Sequence, residues 1–383
     1  MRTPLPALLS LALLCAPAAA DGEAIAALLE RMERAVLAAD PEGYLECVDN
    51  GTSAEWNREQ DNWAADLMHH VPEEFEMELT APPEPWDHAG TLHDPAILDE
   101  VRRAPVRVSW LLPDGPRRAV EFPAMFVRRI GEWRYAGEAW RRRASEDGQN
   151  IVLYLDDGLV AVAERVIDIM PEIRAHVDEG FETRLGHPQV VKLYDEMTHL
   201  QHSIYLSYTE PLGGWNEPGE SIKILADRHA RSRQLRILLA HEYGHVATFT
   251  YSPEASEHIP WWVAEGVAEL AAERFAGPAA VRSVDEVVRA WVGAGALAEW
   301  SAMADFRQTP SELHGHVYIQ GHHFVGFVSE RFGRARRNHW IRLLAQGSPL
   351  DEASREAFAL SFAELDALWR ASLEDKTAPP DDG

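Results

Sequence analysis

The chain has 383 residues, of which 46% are hydrophobic and 13 are tryptophan, so it can bury more than one core and is not a disordered chain. Its formal net charge of -26 argues against nucleic acid as a partner, because nucleic-acid binding needs a basic surface. Length and composition therefore predict a globular protein with room for two domains.

Residues 1–20 have the pattern of a signal peptide. Arg2 gives a positive start, residues 5–16 form an apolar run too short to span a membrane, and residues 18–20 are a small-residue cleavage site. We predict cleavage there and an exported protein, periplasmic or secreted; an uncleaved anchor is the alternative. No later segment is apolar enough to span a bilayer. Cys47 would then be the one remaining cysteine, and we expect a buried small residue without a disulfide.

Residues 21–143 are predicted to form an α+β domain. Apolar residues at helical spacing over 22–39 are followed by a second helix with Trp56, Trp63 and Leu67. A Pro-rich loop over 80–95 precedes a change to period two, which is typical of antiparallel strands; it starts at Val106, Val108 and Trp110 and continues through Val120, Phe122 and Phe126.

The run from Gly131 to Glu138 resembles the closing strands of a SnoaL-like cone, a cystatin-like curved sheet around a helix. Such a cone can hold a small ligand, and a structural or substrate-orienting role is an equal alternative. The polar segment 141–150 is interpreted as a linker to the next domain.

Residues 151–375 are predicted to form the second domain, and the tail 376–383, rich in Pro and Asp, is predicted to be disordered. A helix over 158–178 and a helical second half surround a small sheet. Its predicted strands are 190–194, 203–208 and 221–225. We predict that 221–225 is the edge strand, which could bind an extended substrate by β-addition.

The motif His241-Glu242-Tyr243-Gly244-His245 lies on a predicted helix. Residues four apart share a helix face, so His241 and His245 can ligate one zinc ion. Glu242 points about 100° away round the helix, which suits a general base acting on a water at the metal rather than a third ligand. Two surface histidines on a solvated face are the alternative.

A third ligand is offered by Glu265, on a second helix predicted to start at about Trp261 and to stop before Gly277-Pro278. Gly266 indicates close helix–helix approach, because glycine otherwise weakens a helix. Glu269 lies one turn further on the same face and could hydrogen-bond the free ring nitrogen of a ligand histidine, with a solvated carboxylate as the alternative.

The sequence HEYGH followed by IPWWVAEGVAEL resembles the glutamate-zincin metallopeptidases of the peptidase MA-like branch. The step from His245 to Glu265 is similar to that of thermolysin-like enzymes, in which an acidic residue at the position of Glu269 supports a histidine. The resemblance covers roughly the second half of the chain. It implies a thermolysin-like zincin domain with one Zn²⁺ held by His241, His245 and Glu265, and a peptide or protein substrate.

Such a peptidase also needs a donor for the oxyanion of the attacked carbonyl. Tyr318 is the first candidate and His322, one turn on, the second; an ordinary helix start with surface histidines is the alternative. The stretch 213–217 vaguely resembles the Gly-x-Met-Glu-Asn motif of zinc aminopeptidases, with Asn and Glu reversed and Trp for Met. Glu217 or Glu220 could therefore bind a substrate amine, although a glycine-rich turn is the better interpretation.

Taken together, these patterns predict an exported zinc metallopeptidase with Glu242 as general base. One alternative is a metal-containing binding or cell-envelope assembly protein without turnover. In another, the N-terminal cone carries the main function by binding a small molecule. An intact Glu242 favours the enzyme, because a pure binder does not need the base.

Overall fold

The fold has two β-sheets with helices packed on them. The structure, a computed structural model, describes residues 12–86, 100–113, 115–229 and 231–374. The first sheet is antiparallel and belongs to the N-terminal part of the chain. The second sheet precedes a mostly helical C-terminal half. This arrangement confirms the predicted α+β class. The predicted tail 376–383 and most of the predicted signal peptide lie outside the described residues.

In its described residues the N-terminal unit has three helices and five strands: α1 Ala12–Leu37, α2 Pro41–Leu45, α3 Ala54–Leu67, β1 Glu74–Leu79, β2 Glu84–Pro85, β3 Glu100–Leu111, β4 Arg118–Arg129 and β5 Glu132–Glu138. Its strand order is β1-β3-β4-β5, with β2 paired to β3. The apolar stripe of α1, including Ile25 and Met32, is buried in the core of this unit, as predicted, and so is Cys47. None of the described helices has the length and apolarity needed to cross a bilayer.

The second sheet has five strands: β6 Arg141–Ala144, β7 Asn150–Tyr154, β8 Gln189–Tyr194, β9 Gly214–Trp215 and β10 Ile222–Leu225. Their order is β6-β7-β8-β10-β9; the three central strands are parallel and both edges are antiparallel. The linker prediction over 141–150 is therefore wrong, because β6 lies within this stretch and pairs with β7, which begins at its last residue. Three successive arginines can occupy β6 because it is an edge strand with one side open to water.

Two further strand predictions also need correction. The stretch 203–208 is not a strand, because its start belongs to α5 Met197–Ile204. Its apolar residues Ile204 and Leu206 are both buried, but in two different cores. The stretch 221–225 is a strand but not the edge, because β10 lies between β8 and β9. Lys223 of β10 is buried in an ion pair with Glu220. The edge strand on this side of the sheet is β9.

The helical half is built from α4 Val160–Phe181, α6 Ser232–Phe249, α7 Ala255–His258, α8 Trp261–Ala276, α9 Pro278–Ala294, α10 His314–Phe332, α11 Arg334–Ala345, α12 Leu350–Phe358 and α13 Phe362–Glu374. Gly266 of α8 faces Gly321 of α10, and a Cβ on Gly266 would lie 2.6 Å from the Gly321 backbone. The close approach predicted from Gly266 is thus confirmed, and its partner helix is α10. Buried aromatic rings, among them Trp262 and Phe324, fill the core beneath.

Candidate metal centre and active site

Helices α6 and α8 bring His241, His245 and Glu265 together. One ligand atom from each residue lies within 4.8 Å of the others. Glu265 Oε2 is 3.2 Å from His241 Nε2 and 3.5 Å from His245 Nε2. The two helices can come this close because Gly244 of α6 packs on Ala268 of α8, where a Cβ would be 2.9 Å from the Ala268 Cα.

The Glu265 carboxylate is the part of the site whose surroundings favour a bound cation. Its Oε1 accepts a hydrogen bond from Trp261 Nε1 at 2.9 Å, whereas Oε2 is buried and accepts none from any described residue. Burial opposes ionisation, but His245 and His241 hold the pKa of Glu265 well below its usual range. A buried charged oxygen that accepts no hydrogen bond is costly, although two histidine rings lie near this one. Two imidazoles and one carboxylate are a donor set that zinc accepts, so the residues fit the predicted ion.

Glu269 lies behind the first histidine. Its Oε1 is 3.2 Å from His241 Nδ1, the ring nitrogen that does not face Glu265. Burial works against protonation of His241, but Glu265 and Glu269 together raise the pKa of its imidazole well above the ordinary value. A carboxylate in this position fixes the tautomer that leaves Nε2 free for a metal.

Glu242 is buried, with 4% of its surface exposed, and burial raises the pKa of its carboxyl against the opposing effect of His241 and His245. The edge strand β9 runs directly against it: a Cβ on Gly214 would lie 2.4 Å from Glu242 Oε1. Asn216 Nδ2 donates a hydrogen bond to the Glu242 backbone oxygen at 3.2 Å. Sequence analysis missed both residues as neighbours of Glu242; the glycine pair 213–214 was the signal available.

The two predicted oxyanion donors lie in different surroundings. The Tyr318 ring is 6.1 Å from the His241 ring, and burial together with Glu265 and Glu242 raises the pKa of its phenol well above the usual value, so the hydroxyl stays a donor. His322 is buried further along α8, with Nε2 3.6 Å from Glu273 Oε1, about two turns beyond Glu265. The geometry favours Tyr318 over His322.

Tyr208 is a residue that the sequence did not single out. Burial raises the pKa of its phenol to about 12, with added effects of Glu210, Glu265 and Glu242. Its ring lies 5.2 Å from that of Trp215 in β9 and 6.2 Å from that of Phe306. The signal was hidden because Tyr208 lay in a segment interpreted as a strand.

The two glutamates considered for amine binding differ as well. Burial and the nearby Glu220 raise the pKa of Glu217 to about 7, while His245 lowers it. Glu220 is already engaged, because its carboxylate pairs with Lys223 at 3.2 Å and accepts a hydrogen bond from Asn62 at 2.6 Å. Glu217 is electrostatically coupled to the candidate metal ligand His245.

Comparison with known protein families adds an independent finding. A sequence profile of the peptidase MA superfamily matches residues 170–375, more than half of the chain. The matched stretch begins within α4 and includes every candidate residue of α6, α8 and α10. A search of curated proteins found no match.

Proposed function

The chain belongs to the peptidase MA superfamily, and we propose on that basis that it is an exported, zinc-dependent peptidase. The observation that carries the proposal is the convergence of His241, His245 and Glu265 on one point, with the buried Glu242 carboxylate beside them. Export is proposed from the signal-like pattern of residues 1–20 alone.

In this proposal the three converging residues hold the ion, and the remaining groups move protons and bind charge. Bound zinc would polarise the scissile carbonyl and lower the pKa of a water molecule. Glu242 takes a proton from the attacking water and later gives it to the leaving amine. Burial favours this dual role, because it raises the carboxyl pKa. Tyr318 donates a hydrogen bond to the developing oxyanion.

A peptide or protein is the proposed substrate. The edge strand β9 ends the second sheet beside Glu242. An extended peptide can add to such an edge by main-chain hydrogen bonds, which would lay its backbone next to the base. Trp215 of β9, with Tyr208 and Phe306, would then contact its side chains.

The first experiment is the metal content of the purified mature protein by mass spectrometry. We expect about one zinc per chain, as for a site with three protein ligands. Glu265→Ala should lose it, whereas Glu273→Ala, two turns further along α8, should keep it. Absence of zinc from the wild type after reconstitution, or full zinc content in Glu265→Ala, contradicts the proposed site.

Turnover distinguishes the peptidase from a metal-containing binding or assembly protein. Glu242→Gln should retain zinc and lose hydrolysis of a peptide library by at least about 100-fold, since it removes the general base. Equal cleavage by wild type and variant would remove the mechanism. Zinc binding without cleavage of any library peptide would favour the binding protein.

A further inference from the structure

We propose that the N-terminal unit positions the edge strand β9 against Glu242, and that Glu59 and Asn62 of α3 are the positioning residues. The inference rests on the proposed peptidase function. It gives a role to the part of the chain that the superfamily match does not include. It starts from the segment 214–221, which touches Glu242 at one end and α3 at the other.

At its far end the segment is fixed by hydrogen bonds from and to α3. Asn62 Nδ2 donates to Glu220 Oε1 at 2.6 Å. The backbone N–H of Ser221 donates to Glu59 Oε1 at 3.2 Å, and the Ser221 hydroxyl donates to the same carboxylate. Ser221, Glu59 and Glu220 are all buried. The end of the segment therefore takes its place from the N-terminal unit.

Buried charges make this anchor sensitive to displacement. Glu59 forms an ion pair with Lys192 of β8, and Glu220 pairs with Lys223 of β10 at 3.2 Å. The side chains of both pairs are at most 4% exposed. Removing one partner of a buried pair leaves an uncompensated charge, which is far more costly than losing a surface pair. The segment cannot slide without disturbing the Glu220–Lys223 pair, and its partner Glu59 is itself held by Lys192.

At its near end the same segment sets the surroundings of the base. Gly214 touches the Glu242 carboxylate and Asn216 bonds the Glu242 backbone. A shift of 220–221 would be transmitted along a few residues to these two contacts. Since a base must lie within hydrogen-bond reach of the proton that it takes, small shifts there matter to the reaction.

Two more contacts join the N-terminal unit to the surroundings of the site. Arg118 of β4 donates to the backbone oxygen of Tyr208 at 3.2 Å. Asp66 of α3 lies 3.9 Å from Arg307, the neighbour of Phe306. In the Asp66–Arg307 pair the arginine side chain is largely exposed, so the pair by itself contributes little to stability. Together these contacts join the unit to Tyr208 itself and to Arg307, the residue that follows Phe306.

The alternative is that the contacts of α3 only stabilise the fold. A matched pair of variants distinguishes this structural role from the positioning role. Asn62→Ala removes the bond to Glu220. Asn57→Ala removes a similar bond, from Asn57 Nδ2 to Asn50 O at 2.9 Å, within the N-terminal unit. Both asparagines are half-buried on α3. The mature full-length protein is used for both, and kcat is expressed per bound zinc.

We expect Asn62→Ala to lower kcat per zinc about tenfold at unchanged zinc content, because misplacement of a catalytic group by a fraction of an ångström is felt at this scale. Asn57→Ala should stay within about twofold. Glu59→Gln keeps the shape of the side chain but leaves Lys192 without its ion-pair partner, so it should lower thermal stability as well as kcat per zinc. Lower thermal stability with wild-type kcat per zinc in both Asn62→Ala and Glu59→Gln overturns the proposal.

Amide hydrogen exchange gives a readout that does not depend on activity. In Asn62→Ala, exchange should become faster over residues 213–221 and stay unchanged over α6, whereas Asn57→Ala should leave both at wild-type rates. Unchanged exchange over 213–221 overturns the proposal even in an active enzyme. A wild type that lacks zinc or hydrolysis refutes the proposed function instead, and the exchange data still decide whether α3 holds the edge strand.

Discussion

The contact between Gly214 and Glu242 allows the proposed catalytic role of the Glu242 carboxylate to be tested by changing a different residue. Gly214→Ala adds one methyl group, whose carbon would lie 2.4 Å from Glu242 Oε1 and 2.6 Å from its Cδ. The clashing atoms are the end of a side chain, not backbone. The fold can therefore accommodate the methyl group, while the carboxylate has to leave its position.

The size of the displacement sets the expected effect. Non-bonded heavy atoms are comfortable at about 3.5 Å, so the carboxylate or the strand must move by about 1 Å. A misplacement of about 1 Å can cost about 100-fold in rate. That corresponds to about 2.7 kcal/mol in the activation barrier. We expect kcat to fall by this order while zinc content stays at the wild-type level.

Gly213→Ala is the matched control. Its Cβ would lie 3.3 Å from Leu238 Cδ1, a contact that a flexible side chain relieves by a few tenths of an ångström. The assay is hydrolysis of a quenched peptide, with kcat divided by bound zinc. If Gly214→Ala retains the activity of Gly213→Ala, the Glu242 carboxylate is not held where the structure has it, or it is not the base.

Two further predictions concern the support of the site and the acid stability of the protein. Glu269→Ala removes the partner of His241 Nδ1 and should weaken zinc binding about 10–100-fold, as measured by chelator competition. An unchanged Kd for zinc would count against a supporting role of Glu269. Burial opposes ionisation of Glu138, but His199 and Lys192 lower its carboxyl pKa from 4.5 to about 2. The unfolded chain therefore binds more protons between these values, and the contribution of Glu138 is complete above about pH 4.5 and lost towards pH 2. The difference in urea midpoint between wild type and Glu138→Gln should shrink as the pH falls from 6 to 3; a constant difference would contradict this sign.

The ligand helices are the part of the fold that the sequence predicts well, because their information is local. His241 and His245 need only one helix turn to share a face. The stop at Gly277-Pro278 ends α8 where the pattern predicts it. The approach of α8 to its neighbours was also predictable, since Gly266 has no local reason to stand in a helix. Which helix it faces, α10 rather than α6, depends on packing that the sequence does not encode locally.

The second sheet is where local information fails. The stretch 221–225 was predicted to be the edge strand, whereas its Lys223 is 1% exposed and bound to Glu220. A strand that is buried on both faces cannot be distinguished from an edge strand when its polar residue has a buried partner. The true edge, Gly214–Trp215, is only two residues long, too short to produce a period.

The contacts of the N-terminal unit change how its role should be tested. Deleting residues 21–140 would remove both Glu59 and Glu138, the carboxylates that lower the electrostatic cost of burying Lys192. It would also uncover Leu206, which is buried against the N-terminal core. A buried lysine without a carboxylate destabilises the remaining sheet, so loss of activity in the deletion would report folding rather than mechanism. Single side chains such as Asn62 leave the sheet intact, and only they separate a positioning role from a structural one.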